Sequence, residues 1–169
     1  MKQIILALTL LIASTGFSQN KTAIGLRVAN GYSDIPYESP YNSWGISIEH
    51  PFSKHWGFET GYQFNVLNDD NSFTATKFNS IPLGLKYYSS LINISGGGNL
   101  NIFRNYQITF TNASTYYVPS LNWYGLYAAI SKDIHLTNKL ILEPGVQLNY
   151  DSYTYGPTYG VNMRLKYTL

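Results

Sequence analysis

Apolar and polar residues alternate with a period of two along most of the chain. In the last segment, one face carries Tyr159, Val161, Met163, Leu165 and Tyr167, and the other carries Gly160, Asn162, Arg164, Lys166 and Thr168. This is the period of a β-strand, whose successive side chains point to opposite faces. Helical periodicity is absent, so the pattern predicts an all-β chain.

Eight segments carry this pattern, at 22–31, 43–50, 56–66, 78–88, 92–104, 121–131, 140–150 and 158–168. Their lengths are close to the roughly 9–11 residues that a tilted strand needs to cross a bilayer. Eight is also the smallest usual strand number of a closed membrane barrel. Because eight strands enclose room for side chains but not for a channel, we predict an antiparallel up-and-down transmembrane β-barrel with a filled polar lumen.

Ionisable residues indicate which face lies inside. All seven that lie well within the predicted strands are on the less apolar face: Arg27, Glu49, Glu59, Lys86, Glu143, Arg164 and Lys166. A charge that faces the hydrocarbon midplane costs about 2–4 kcal/mol, whereas a paired charge inside a barrel need not. We therefore expect the apolar faces to meet lipid and the seven charges to form a lumenal network, with an Arg27–Glu49–Glu59–Lys86 belt on one side.

The composition favours a membrane barrel over a soluble one. Of the 169 residues, 12% are charged and 16% are aromatic, whereas soluble surfaces carry about 25–35% charged residues. The main alternative is a soluble, lipocalin-like barrel with its apolar face inward. A net charge of +2 provides no basic field for nucleic acid, and a chain without cysteine has no disulfide framework and no thiolate metal site.

The N-terminal segment resembles a targeting signal. A short basic start, Met1-Lys2-Gln3, precedes an apolar run at 4–13 and small residues that end near Ser18. These are the three parts of a secretory signal peptide, and the apolar run is too short for a membrane-spanning helix. We predict a signal peptide at residues 1–18 and an exported barrel domain at residues 19–169.

The connections alternate between short and long. Long connections are expected at 32–42, 67–77, 105–120 and 151–157, and short ones near 51–54, 89–91 and 131–139. Outer-membrane barrels have short periplasmic turns and longer extracellular loops, so both termini are predicted to be periplasmic. Any binding function is expected in the long loops, above all at 106–120.

Two basic residues share the parity of the apolar faces but lie at the predicted outer ends of neighbouring segments. They are Lys77 and Arg104. At that height they could contact the phosphates of lipopolysaccharide. The alternative is that both are ordinary charges at the barrel rim.

We expect no catalytic, cofactor-binding or metal site. His50, His55 and His135 all fall in predicted periplasmic turns, where histidines are solvated. His135 and Thr137, with Glu143 nearby, are the only set that resembles a nucleophile and its base.

Several short motifs resemble a known family. They are Ile81-Pro82-Leu83-Gly84-Leu85-Lys86-Tyr87-Tyr88, Gly57-Phe58-Glu59-Thr60-Gly61-Tyr62 and the stretch 96–105, together with a signal that ends in Ser18-Gln19. The chain resembles the PorT-like outer-membrane β-barrel proteins of Bacteroidota, which are small barrels of the OmpA and OmpX type. The resemblance implies an outer-membrane barrel, mostly without a known molecular role, in a group where some members support protein secretion. It implies no catalytic residues. The chain departs from many such barrels in ending on Leu169 rather than on an aromatic residue.

These observations lead us to expect a small outer-membrane protein with a structural, binding or accessory-subunit role, and not an open pore or an enzyme. Its expected partners are outer-membrane lipid, lipopolysaccharide and other envelope proteins. We expect it to bind neither nucleic acid nor a cofactor. The alternatives are an enzyme that modifies lipid A and a soluble periplasmic carrier of an apolar ligand.

Overall fold

A computed structural model describes residues 21–33, 39–68, 75–103, 106–109, 115–118, 121–151 and 157–169. In chain order the strands are β1 (Ala23–Ser33), β2 (Ser39–Pro51), β3 (Trp56–Asn68), β4 (Ala75–Tyr88), β5 (Asn93–Phe103), β6 (Tyr106–Thr109), β7 (Thr115–Val118), β8 (Leu121–Ser131), β9 (Ile134–His135), β10 (Leu140–Asp151) and β11 (Pro157–Thr168). Eight of them are long and form one antiparallel wall, in the order β11, β1, β2, β3, β4, β5, β8 and β10.

The wall is a closed barrel because its last strand pairs with its first. All eleven residues of β1 have a partner on β11, and β11 also pairs with β10. The predicted eight-stranded barrel is confirmed, and the predicted segments begin and end within four residues of the observed strands. We call the end that carries residues 21 and 169 the terminal end, and the opposite end the loop end.

The register shows how strongly the strands tilt. Cα partners can be followed around the wall from Lys77 on β4, through β3, β2, β1, β11, β10, β8 and β5, and they return to β4 at Tyr87. One circuit is therefore displaced by ten residues, from position 77 to position 87. A barrel with this stagger must have steeply tilted strands.

The two faces of the wall differ in polarity as the alternation predicts. Buried and exposed residues alternate without a break along β1. Apolar side chains project outward around the waist, and Leu26, Leu83 and Leu126 are 65–66% exposed. The inward positions carry mostly serine, asparagine, glutamine and charged residues.

The connection between β8 and β10 is more ordered than the predicted turn at 131–139. It contains β9, which pairs with the first part of β10. Between β8 and β9 the regular pairing is interrupted opposite Pro144, which has no N–H to donate to a ladder. The backbone N–H of Lys132 donates to the Pro144 carbonyl at 3.0 Å, and the neighbouring Asp133 contacts Lys166 of the lumen. The register is the same on both sides of the interruption, so Asp133 keeps the inward parity of Ser131.

The predicted loop at 105–120 also contains structure that periodicity did not indicate. Strands β6 and β7 form a two-stranded ribbon. With four residues each, they are too short for an alternating pattern to stand out. In the part of the chain that the structure describes, no helix has the length and apolar character needed to cross a membrane.

Candidate functional site

The middle of the lumen is occupied by charged side chains. All seven ionisable residues singled out by their parity lie inside the wall, and none is more than 4% exposed. An eighth, Asp133, joins them with a side chain that is 23% exposed. We call these eight residues the lumenal charge cluster: Arg27, Glu49, Glu59, Lys86, Asp133, Glu143, Arg164 and Lys166. Four cations and four carboxylates make the cluster formally neutral.

Glu49 is the residue through which most of the cluster is connected. One of its oxygens, Oε1, accepts from Lys86 Nζ at 2.8 Å and from Arg164 Nη1 at 2.9 Å. The other, Oε2, accepts from Lys166 Nζ at 3.1 Å. The β2–β3 register places Glu59 directly opposite Glu49, and like charges so placed repel. Arg164 Nη1 lies between them and also donates to Glu59 Oε2 at 2.7 Å, which offsets that repulsion.

The remaining carboxylates are held by several donors. Glu143 forms ion pairs with Lys86 and with Lys166, the latter at 2.9 Å, and it accepts from the Ser131 hydroxyl. Lys166 also donates to Asp133 Oδ1 at 2.8 Å. The cluster therefore extends from the barrel centre to a partly exposed carboxylate at the terminal end.

Arg27 does not take the position expected for it in the Arg27–Glu49–Glu59–Lys86 belt. Lys86 does contact Glu49, but Arg27 donates to the side-chain oxygen of Gln147 on β10. The reason is the register of the closing pair, β1 and β11, which places Arg164 directly opposite Arg27. From that position Arg164, and not Arg27, donates to Glu59. The expectation failed because it considered only strands that are neighbours in sequence.

A glycine makes room for one arm of the cluster. The Tyr127 hydroxyl donates to Glu59 Oε1 at 2.7 Å, and it lies against Gly84 on β4. A Cβ atom at Gly84 would lie 2.1 Å from this hydroxyl oxygen and 2.6 Å from the Gly96 carbonyl oxygen. No side chain fits there unless the barrel wall shifts, so Gly84 is needed for this hydrogen bond.

Aromatic side chains fill the lumen towards the loop end. The sequence reasoning placed large apolar residues outside and missed a buried cluster of Tyr41, Phe78, Phe103 and Trp123, against which Leu67 packs. The signal was present, because all four fall at inward parity. Rings occupy much volume without carrying charge, which suits the part of the lumen beyond the ion pairs.

Polar side chains connect the walls at the same level as these rings. Tyr41 donates to Asn65 Oδ1 at 2.6 Å, and Asn65 donates to Ser80 Oγ at 2.7 Å. The Ser80 hydroxyl donates a hydrogen bond to Asn101 Oδ1, and Asn101 Nδ2 donates to Asp151 Oδ1 at 2.6 Å. Charged side chains thus fill the middle of the described lumen, and aromatic and polar side chains together fill the level towards the loop end. This arrangement can support the wall from inside.

Of the set considered for catalysis, Thr137 and Glu143 are engaged in other contacts, and His135 lies on β9 and is exposed. The Thr137 hydroxyl accepts from the backbone N–H groups of Leu140 and Lys139, at 2.9 and 3.2 Å, while Glu143 is bound within the charge cluster. His50 lies on β2 rather than in a turn, is buried and shares a hydrogen bond of 2.9 Å with Thr22. Among the described residues, no group of three or more histidine, aspartate or glutamate side chains is arranged so that it could hold a metal ion.

Lys77 lies on the outward face of β4 near the loop end and is exposed. Its Cα partner on β3 is Val66. Arg104, the other basic residue predicted to lie at the outer rim, is outside the described residues.

No family model and no curated protein matches this sequence. Solved structures do resemble the fold. Neisserial surface protein A (NspA) aligns with a TM-score of 0.61 and 13% identity over 88% of this chain and 97% of that one. Ail of Yersinia pestis, in complex with the heparin analogue sucrose octasulfate, gives 0.59 and 11% over 89% and 99%. The N-terminal β-barrel domain of Pseudomonas aeruginosa OprF gives 0.57 and 10% over 89% and 100%. The chain therefore has the fold of small outer-membrane barrels.

Proposed function

We propose that this protein is an integral outer-membrane barrel with a plugged lumen, which acts as a structural or interaction module and not as a pore or an enzyme. One observation carries the proposal: the waist projects leucine, isoleucine, valine and aromatic side chains outward, while the seven ionisable side chains that lie well within the strands are buried inside. In water this arrangement would expose a large apolar belt, whereas in a bilayer the belt meets lipid.

The orientation follows from the connections. The longest interval between the eight long strands, at 104–120, lies at the loop end. At the terminal end, two of the three connections, at 52–55 and 89–92, have four residues each, and the third, at 132–139, contains β9 and folds back along β10. We propose that the terminal end faces the periplasm and the loop end faces the exterior, as in barrels with short inner turns and long outer loops. In this orientation the β6–β7 ribbon is presented to the exterior, and loops of this kind are where binding residues concentrate.

Membrane fractionation tests the embedding. We expect the protein to stay in outer-membrane pellets after an alkaline wash and to migrate differently on gels before and after boiling. Release by the wash would instead support the soluble periplasmic carrier.

Conductance tests the plugged lumen. In a planar bilayer the purified barrel is expected to give no stable channels above a small-ion leak, because successive levels of the lumen are filled by side chains. Stable, larger channels would refute the plug.

The motifs around Ile81–Tyr88 support the proposal that the protein is similar to the PorT-like barrels of Bacteroidota, some of which support secretion. Affinity purification in mild detergent is the experiment that would identify a partner envelope protein. Mass spectrometry of lipid A from a deletion strain tests the alternative of a lipid-modifying enzyme, for which unchanged lipid A is the expected result.

A further inference from the structure

Two carboxamides interrupt the apolar outer face of the barrel. Asn30 on β1 and Asn42 on β2 are Cα partners, and both occupy outward positions. Asn30 Nδ2 donates to Asn42 Oδ1 at 2.7 Å. The bond uses the nitrogen of one residue and the oxygen of the other. The Asn30–Asn42 bond therefore leaves one acceptor, Asn30 Oδ1, and one donor group, Asn42 Nδ2, wholly unused for contact with a molecule that covers this face.

Aromatic residues on β1 and the neighbouring β11 indicate the depth of the pair. Tyr32, the next outward residue of β1, pairs with Tyr159 on β11, and both are about half exposed. At the opposite end of β1, Ile24 pairs with Tyr167. Aromatic side chains mark the two interfaces of a membrane barrel. Asn30 lies between these levels, one outward position inside the loop-end level, and this is the depth at which acyl chains join a lipid headgroup.

An apolar groove leads from the amide pair towards the waist. Its volume is about 810 Å³, and its walls include Val28, Trp44, Val66, Val161 and Met163. Val28 is the next outward residue of β1 towards the waist, and its partners on the two neighbouring strands are Trp44 and Met163. The groove thus runs in the direction that an acyl chain takes from its headgroup.

Hydrogen-bond chemistry selects among the lipids that could fill the groove. A polar group left without a partner in hydrocarbon is costly. An ester linkage offers only acceptors, so it can satisfy the Asn42 donor but not the Asn30 acceptor. An amide linkage or a hydroxylated acyl chain offers both a donor and an acceptor, and it complements both groups.

We propose that this groove binds one acyl chain of a lipid that is amide-linked or hydroxylated next to its headgroup, and that Asn30 and Asn42 hold the linkage. The inference rests on the proposed membrane embedding. The amide pair of this site lies on β1 and β2, and β3 separates it from Lys77 on β4.

Lipid retention measures the selectivity. The barrel is reconstituted with equal amounts of lipid A, which carries amide-linked hydroxyacyl chains, and ester-linked phosphatidylethanolamine, and retained lipid is measured by native mass spectrometry. The test variant is Asn30→Leu/Asn42→Leu. The matched control is Asn122→Leu, which removes another exposed, outward amide near the loop end of β8. Loss of one or two hydrogen bonds within a bilayer predicts about fivefold to tenfold less lipid A on the double variant.

The control is expected to retain as much lipid A as the unaltered protein, and all three proteins should retain equal phosphatidylethanolamine. Equal lipid A on all three would overturn the proposal. Cross-linked dimers through a cysteine at Val28 would also overturn it, because a second copy would then occupy the groove. Alkaline extraction of the same samples separates failure of the lipid site from failure of membrane embedding.

Discussion

Lys86 provides the sharpest test of the lumenal charge cluster. Its side chain is fully buried and pairs with Glu49 and Glu143. Methionine has similar length and no charge, so Lys86→Met keeps the volume and leaves four carboxylates facing three cations. The variant is therefore expected to fold into the same barrel with a lower free energy of unfolding.

The contacts set the size of this loss. Removing one partner of a buried ion pair costs about 3–5 kcal/mol. Both carboxylates keep another cation, because Lys166 contacts Glu49 at 3.1 Å and Glu143 at 2.9 Å. We therefore expect the lower part of the range, about 3 kcal/mol. Adding Glu143→Gln to Lys86→Met restores neutrality and should recover about half of the loss, since a buried ion pair can often be replaced by uncharged groups at little cost.

Reversible urea unfolding in lipid vesicles, followed by tryptophan fluorescence, measures both effects. Leu85→Met on the same strand is the matched control, because Leu85 points outward, and it should change the unfolding free energy by less than about 1 kcal/mol. A loss below 1 kcal/mol for Lys86→Met, or no recovery in the double variant, would refute the view that the cluster stabilises the barrel through charge balance.

Three further predictions concern single positions. Gly84→Ala should destabilise the barrel, as measured by its unfolding midpoint in urea, because the added Cβ would lie 2.1 Å from the Tyr127 hydroxyl oxygen; an unchanged midpoint would contradict the close approach. Asp133→Asn should lower the unfolding free energy by about 1 kcal/mol or less, because its carboxylate is partly solvated; a loss comparable to that of Lys86→Met would be inconsistent with this. Cysteines at Leu26 and Leu165, which are Cα partners across the closing pair, should form a disulfide on oxidation, detected by gel mobility after proteolysis, and failure to cross-link would indicate an open wall.

The fold could be predicted from the sequence because two-residue periodicity is a local signal. Strand β1 alternates between buried and exposed residues along its whole length, and the inward parity of Arg164 and Lys166 identified the lumenal face. Asp133 was missed because it lies beyond residue 131, where the predicted segment ended. It has the same inward parity as Ala129 and Ser131, and the register is unchanged from Ser131 to Ile134.

The partners within the lumen were harder to predict than its composition. The contact between Arg164 and Glu59 joins residues far apart in sequence and depends on the stagger at which β11 closes on β1. Alternation gives the face of a residue but not its height after closure. The inward rings of Phe78 and Trp123 were missed for a different reason, because the reasoning equated apolar with outward.

Lipid contact at the waist is the most direct test of the central claim that the apolar face points away from the barrel axis. The chain has no cysteine, so single cysteines at Leu26, Leu83 and Leu126 can each carry an environment-sensitive fluorophore in reconstituted vesicles. All three labels are expected to be quenched by lipids brominated in mid-chain and to be protected from aqueous iodide. Quenching by iodide without quenching by the brominated lipids would contradict the account.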